Sequence, residues 1–171
     1  MGYQIQVPTP RAPKHCVQGV PPQRYALSLP SPRLGVMSES TMPGLDGLLG
    51  VTHSEVTPDR VVAHWTIGPN HLQPFGIPHG GAYCSVHEST ASIGGMTWFN
   101  RDAPEGQRIG VVVGSNNSTD FLRQAKMGDR VTSTATPIHR GRTQQLWRVE
   151  STDQDGRLLA QGQVRLANLL D

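Results

Sequence analysis

The sequence predicts an α+β domain in which an antiparallel sheet of about six strands wraps round one long helix. Three observations carry that expectation. A single stretch, Gly80–Phe99, is long enough and free enough of turn residues to form a helix of several turns. Strand-like runs flank it, two before and four after, in the order β-β-α-β-β-β-β. Most of these runs are separated by short turn signals, which suit antiparallel neighbours; parallel strands need long crossovers.

Taken in chain order, residues 1–44 hold eight of the fourteen prolines and show neither helical nor strand periodicity. Such a segment buries too little apolar surface to offset its ordering entropy, so a disordered tail is expected there, with the folded domain spanning 45–171. Met37 and Met42 are alternative start positions, and the prolines argue against an amphipathic targeting helix. Residues 45–49 read as a short helical turn, and residues 51–57 and 60–68 as two strands joined at Pro58-Asp59. A turn-rich loop runs over residues 69–78. Pro78 and His79 then start the helix, which ends near Asn100. Its small residues Gly81, Ala82, Ser85, Ser89, Ala91 and Ser92 let it lie close against strands. Four more strands follow at 108–117, 130–139, 143–152 and 158–168, separated by turn signals at Met127-Gly128-Asp129, Arg140-Gly141-Arg142 and Asp153-Gln154-Asp155-Gly156.

Composition removes several classes of function. The chain carries 15 basic and 13 acidic residues, but Arg11, Lys14, Arg24 and Arg33 all precede the first acid, Glu39. Residues 39–171 therefore hold 11 basic against 13 acidic side chains, too little positive charge to argue for nucleic acid. No apolar run approaches the ~20 residues of a membrane span, and no secretory pattern opens the chain, so a cytoplasmic protein is expected. Without a secretory signal, the overlapping glycosylation sequons in Asn116-Asn117-Ser118-Thr119 carry no meaning. Cys16 and Cys84 make neither a disulfide framework nor a metal cluster. His87-Glu88 begins like a zinc-protease helix, but Ala91 stands where the second histidine would be; no metal is expected. A serine-hydrolase elbow is also missing.

Glu88 is the residue that asks for an explanation. It is a lone carboxylate on a helix that must cover the sheet, with Cys84 and Ser92 one turn to either side. The helix begins Gly80-Gly81 after Pro78-His79, so bare N–H groups stand at the positive end of the helix dipole, a cradle for a developing oxyanion. Carboxylate and cradle together suit acyl transfer. They lie eight residues apart, however, about 12 Å along the axis, whereas a reacting carbonyl must sit roughly 3 Å from both. A second copy of the helix, antiparallel alongside, would close that gap, and a twofold dimer supplies one.

The stretch Gln73-Pro74-Phe75-Gly76, His79-Gly80-Gly81, Glu88-Ser89 and Ser92 resembles the hotdog-fold acyl-coenzyme A thioesterases of the phenylacetate-pathway type. Within these it is most similar to the branch of the Arthrobacter-type 4-hydroxybenzoyl-coenzyme A thioesterase and the enterobactin proofreading thioesterase. Phe121-Leu122-Arg123, His139-Arg140-Gly141-Arg142 and Asp155-Gly156-Arg157 fit the same pattern, which covers about residues 45–168. The resemblance implies that Glu88 is nucleophile or general base, that Gln73 and His79 orient the thioester and water, and that the Gly80 N–H polarises the carbonyl. It implies that Ser92 holds the water or the carboxylate, and that Gly81, Arg140, Arg142 and Thr143 contact coenzyme A, Arg being suited to phosphates by its planar fork. Gln73, His79 and Gly80 would come from one subunit, Glu88 and Ser92 from its partner, in a homodimer that itself pairs into a dimer of dimers. Coenzyme A would be part of the substrate, with no separate cofactor. His87 stands where relatives usually carry an apolar residue, a change expected at the pocket floor. A non-catalytic acyl-coenzyme A sensor and a hotdog enoyl-coenzyme A hydratase are the alternatives. The first lacks a helix-turn-helix segment and the second lacks its His-Asp pair.

Overall fold

The computed structural model describes residues 44–170. The tail expected at residues 1–44 lies, Gly44 apart, outside the described residues. From there the elements follow as α1 (Leu45–Leu48), β1 (Thr52–Val56), β2 (Val61–Thr66), a 3-10 turn (Pro69–His71), α2 (Gly80–Phe99), β3 (Gly110–Phe121), β4 (Arg130–Arg140), β5 (Gln144–Thr152) and β6 (Leu158–Leu170). One six-stranded sheet, antiparallel throughout, runs β1-β2-β4-β5-β6-β3. The hotdog architecture is therefore present, with β1 and β3 as its edges. No helix among the described residues is long and apolar enough to cross a membrane.

Helix α2 turns one stripe to the sheet. Its buried positions are Ala82-Tyr83, Val86-His87, Thr90-Ala91 and Gly94-Gly95, pairs recurring every four residues as one helical face requires. Ala82 and Ala91 make the close approach the sequence suggests, whereas Gly81, Ser85, Ser89 and Ser92 lie at the margins, only half-buried. Two glycines further on come closest to the strands beneath the helix centre. A methyl on Gly94 would come within 2.7 Å of the Trp147 ring, and one on Gly95 within 2.6 Å of Leu166. Those two bare positions set the helix directly on β5 and β6, and Trp147, Val149, Val164 and Leu166 fill the core below.

β3 runs four residues beyond its expected end, to Phe121, and pairs along its length with β6. The ladder shifts register between Gly114 and Asn116, so Ser115 is an extra residue in a β-bulge. Bulges bend an edge strand and re-aim its side chains, and this one lies beside Glu88.

Candidate active site

The loop before α2 is a small closed hairpin. His79 N–H bonds to the His71 carbonyl (2.7 Å), Gln73 N–H to the Ile77 carbonyl (2.9 Å), and Gly76 completes the turn at φ 77°. His71 anchors it from below: its Nδ1 accepts from Gly68 N–H (2.9 Å), which leaves Nε2–H to donate to the Leu49 carbonyl (3.0 Å). Gln73 and His79 are thereby held at the start of α2. The His79 ring folds back to cap the helix, its Nδ1 accepting from Gly81 N–H at 2.8 Å. A lone pair at Nδ1 leaves the proton of the neutral ring on Nε2, which points outward as a donor.

This cap narrows the cradle read from sequence. Gly81 N–H is taken by His79 and Ala82 N–H by the His79 carbonyl (3.0 Å), while Gly80 N–H has no acceptor among the described residues. One backbone donor is left where two glycines suggested more. The Phe121 ring at the end of β3 lies against Gly80, 2.6 Å from where a methyl would stand, so only glycine keeps this helix end open.

Glu88 is exposed, two turns along α2, and its carboxylate rests over Gly114 of β3, where any side chain would collide with Oε1. Ser92 follows one turn later, half-buried. Within one chain, therefore, Gln73, His79 and Gly80 form one cluster and Glu88 with Ser92 a second, about 12 Å further along the same helix. The structure does not bring the two together in a single subunit.

Arg140, Arg142 and Thr143 lie at the β4–β5 turn. Arg140 Nη1 is engaged by the Pro58 carbonyl (2.9 Å) and Asp59 Oδ1 (2.8 Å), and its guanidinium stacks 5.4 Å from the Trp98 ring near the far end of α2. Arg142 and Thr143 are exposed, and Asn168 Nδ2 braces the turn by donating to the Gly141 (3.0 Å) and Arg142 (3.2 Å) carbonyls.

His87 is not on a pocket floor. It is fully buried between α2 and the sheet, with Nε2 on Ser151 Oγ (2.9 Å) and Nδ1 on Thr119 Oγ1 (3.2 Å), and burial lowers its pKa to about 4. Sequence reasoning missed Gly114, Asn117 and Thr119. For Asn117 and Thr119 the signal was there as polar residues two apart in a strand-like run, facing the same way by alternation; Gly114 lies across the bulge, where alternation fails.

A long sheet curled on one helix, with a glycine-opened helix end and a carboxylate at the sheet edge, defines a hotdog-fold enzyme. Residues 75–160 match the thioesterase superfamily, and the chain belongs to it. A Mycobacterium tuberculosis protein provisionally named an esterase is 46% identical over 140 residues, covering 82% of this chain and 96% of that protein. The 1,4-dihydroxy-2-naphthoyl-CoA hydrolase of Escherichia coli is 31% identical over 136 residues, covering 80% and 92%. Among solved structures, S. sahachiroi AziG is 49% identical with a TM-score of 0.66, over 72% of this chain and 94% of its own.

Proposed function

We propose that this thioesterase hydrolyses an acyl-coenzyme A to the free acid and coenzyme A, at sites each built from two chains. The observation that carries the reading is the pairing of an unclaimed Gly80 N–H at a helix N-terminus with an exposed carboxylate, Glu88, seated on a glycine at the sheet edge. Gly80 N–H polarises the thioester carbonyl and takes up the negative charge as the tetrahedral intermediate forms. Glu88 either removes a proton from water as it attacks the carbonyl carbon, or attacks itself to form an anhydride that water then opens. In both routes the C–S bond breaks and water's oxygen replaces the sulfur: in the first the proton taken up by Glu88 passes to the leaving thiolate, in the second the thiolate takes the proton released as water opens the anhydride. Gln73 and the outward Nε2–H of His79 orient the thioester, and Ser92 holds the water or carboxylate. Arg142, Thr143 and the remaining N–H groups of Arg140 receive the coenzyme A phosphates, with Gly81 lining the entrance.

The two-chain arrangement is supported by the separation along α2 and by the outer edge of β3, which no strand among the described residues covers. A partner lying antiparallel at that edge brings its Glu88 toward Gly80. An aromatic acyl group is the finer reading, in keeping with the 1,4-dihydroxy-2-naphthoyl-CoA hydrolase relative and with the resemblance to the 4-hydroxybenzoyl-coenzyme A branch. The decisive experiment follows free thiol release over a panel of aryl- and alkyl-coenzyme A thioesters, then mixes Glu88→Ala chains with chains carrying Gln73→Ala and His79→Ala. Shared sites restore activity to about a quarter of wild type, since half of randomly mixed dimers are heterodimers with one intact site. No recovery after verified subunit exchange refutes the two-chain mechanism.

A further inference from the structure

One buried titratable group stands outside this mechanism. His87 neighbours Glu88 in sequence but faces the opposite way, into a chain of polar side chains that joins four strands to α2. Trp65 Nε1–H on β2 donates to Ser133 Oγ (3.1 Å), Ser133 Oγ lies 2.7 Å from Ser151 Oγ, and Ser151 Oγ lies 2.9 Å from His87 Nε2. On the other side His87 Nδ1 meets Thr119 Oγ1 (3.2 Å), Thr119 O–H donates to Asn117 Oδ1 (2.8 Å), and Asn117 Nδ2 donates to the Cys84 carbonyl (2.9 Å).

The direction of every bond is determined. Thr119 spends its proton on Asn117, so toward His87 it accepts, and Nδ1 carries the ring's proton. The neutral ring then accepts at Nε2 from Ser151 O–H, which turns Ser133 O–H toward Ser151 and leaves Ser133 Oγ to accept from Trp65. Protonating Nε2 would reverse Ser151 and strand the Ser133 proton without an acceptor. Gly162 makes room for the chain: a methyl there would stand 2.5 Å from Thr119 Oγ1 and 2.9 Å from His87 Nδ1.

The chain ends where Glu88 is held. Asn117 grips the Cys84 carbonyl, the acceptor one helical turn before Glu88 and so the one that receives its N–H. Three residues back along the same strand, Gly114 supports the Glu88 carboxylate. We propose that His87, through Thr119 and Asn117, is a positioning element that clamps edge strand β3 to α2 and so sets the carboxylate of Glu88 on Gly114. The proposal rests on the catalytic reading of Glu88. It concerns no residue that touches substrate.

Thr119→Val keeps the shape and deletes the hydroxyl; Thr119→Ser restores it. The clamp predicts that kcat falls at least about tenfold in Thr119→Val with KM changed less than about twofold, because misplacing a catalytic group costs rate rather than binding. Thr119→Ser stays within about twofold of wild type. Imidazole 15N shifts of His87 should report a protonated Nδ1 in wild type and loss of that tautomer in Thr119→Val. Asn117→Asp, which keeps the acceptor for Thr119 but loses the donor to Cys84, provides the same kcat test should Thr119→Val fail to fold. Wild-type kcat in the folded variants, or equal losses in Val and Ser, overturns the clamp. If Glu88→Gln keeps wild-type kcat, it is the catalytic reading that fails instead.

Discussion

The buried imidazole makes the protein acid-sensitive by an amount that can be worked out. His87 is fully enclosed, and its pKa falls from 6.5 to about 4 because burial penalises the charged ring. Between those values the unfolded chain binds a proton that the folded chain refuses, so stability is complete above pH 6.5 and declines as pH falls toward 4. Linkage gives a loss of about 2 kcal/mol between pH 7 and pH 5, approaching about 3 kcal/mol at pH 4. For a domain of this size the first step lowers Tm by roughly 4–8 °C. The assay is urea unfolding at pH 7 and pH 5 on wild type and His87→Gln. The substitution loses stability at pH 7, but its dependence on pH should be flatter by about 2 kcal/mol. Burial also lowers the pKa of His53, which adds to the loss equally in the two proteins. Burial raises that of Asp153, but the bonds from Arg157 and Asp155 together outweigh it and hold the carboxyl below its ordinary value, so its contribution is lost only at pH values below this assay. Equal pH dependence in wild type and variant would refute the reasoning.

Glu88→Gln should cut kcat by two or more orders of magnitude with Tm unchanged, in a thiol-release assay, since an exposed carboxylate contributes little to folding. Gly114→Ala should fold normally yet lose turnover, because its methyl meets only the mobile end of Glu88; an unimpaired kcat would detach that carboxylate from the chemistry. Gly94→Ala should lose about 1–2 kcal/mol in denaturant unfolding: its methyl stands 2.7 Å from the fully buried Trp147 ring, and overpacking outweighs the ~1 kcal/mol helix-propensity gain. Gly80→Ala, driven against Phe121, should lower kcat/KM on every thioester of the panel by closing the helix end.

The element order, the bounds of α2 and the loop that starts it were legible from the chain alone, because each rests on local chemistry. Pro78 and His79 begin a helix, Asn100 closes one, and glycine turns at Gly128 and Gly156 separate strands, whatever lies elsewhere. The candidate residues Gln73, His79, Gly80 and Glu88 were legible too, as reactive groups at a spacing that one helix cannot bring together. What only the tertiary structure decided depends on pairing between distant segments. β3 crosses to the far edge beside β6, carrying Gly114 beneath Glu88 and Phe121 onto Gly80. Arg140 finds Asp59 from 81 residues away, and His87 turns out to face Ser151 and Thr119 rather than a pocket. Helix and turn preferences are energies of neighbouring residues. The partner of an inward polar group is chosen by strand register across the whole sheet, a choice that no short window of sequence contains.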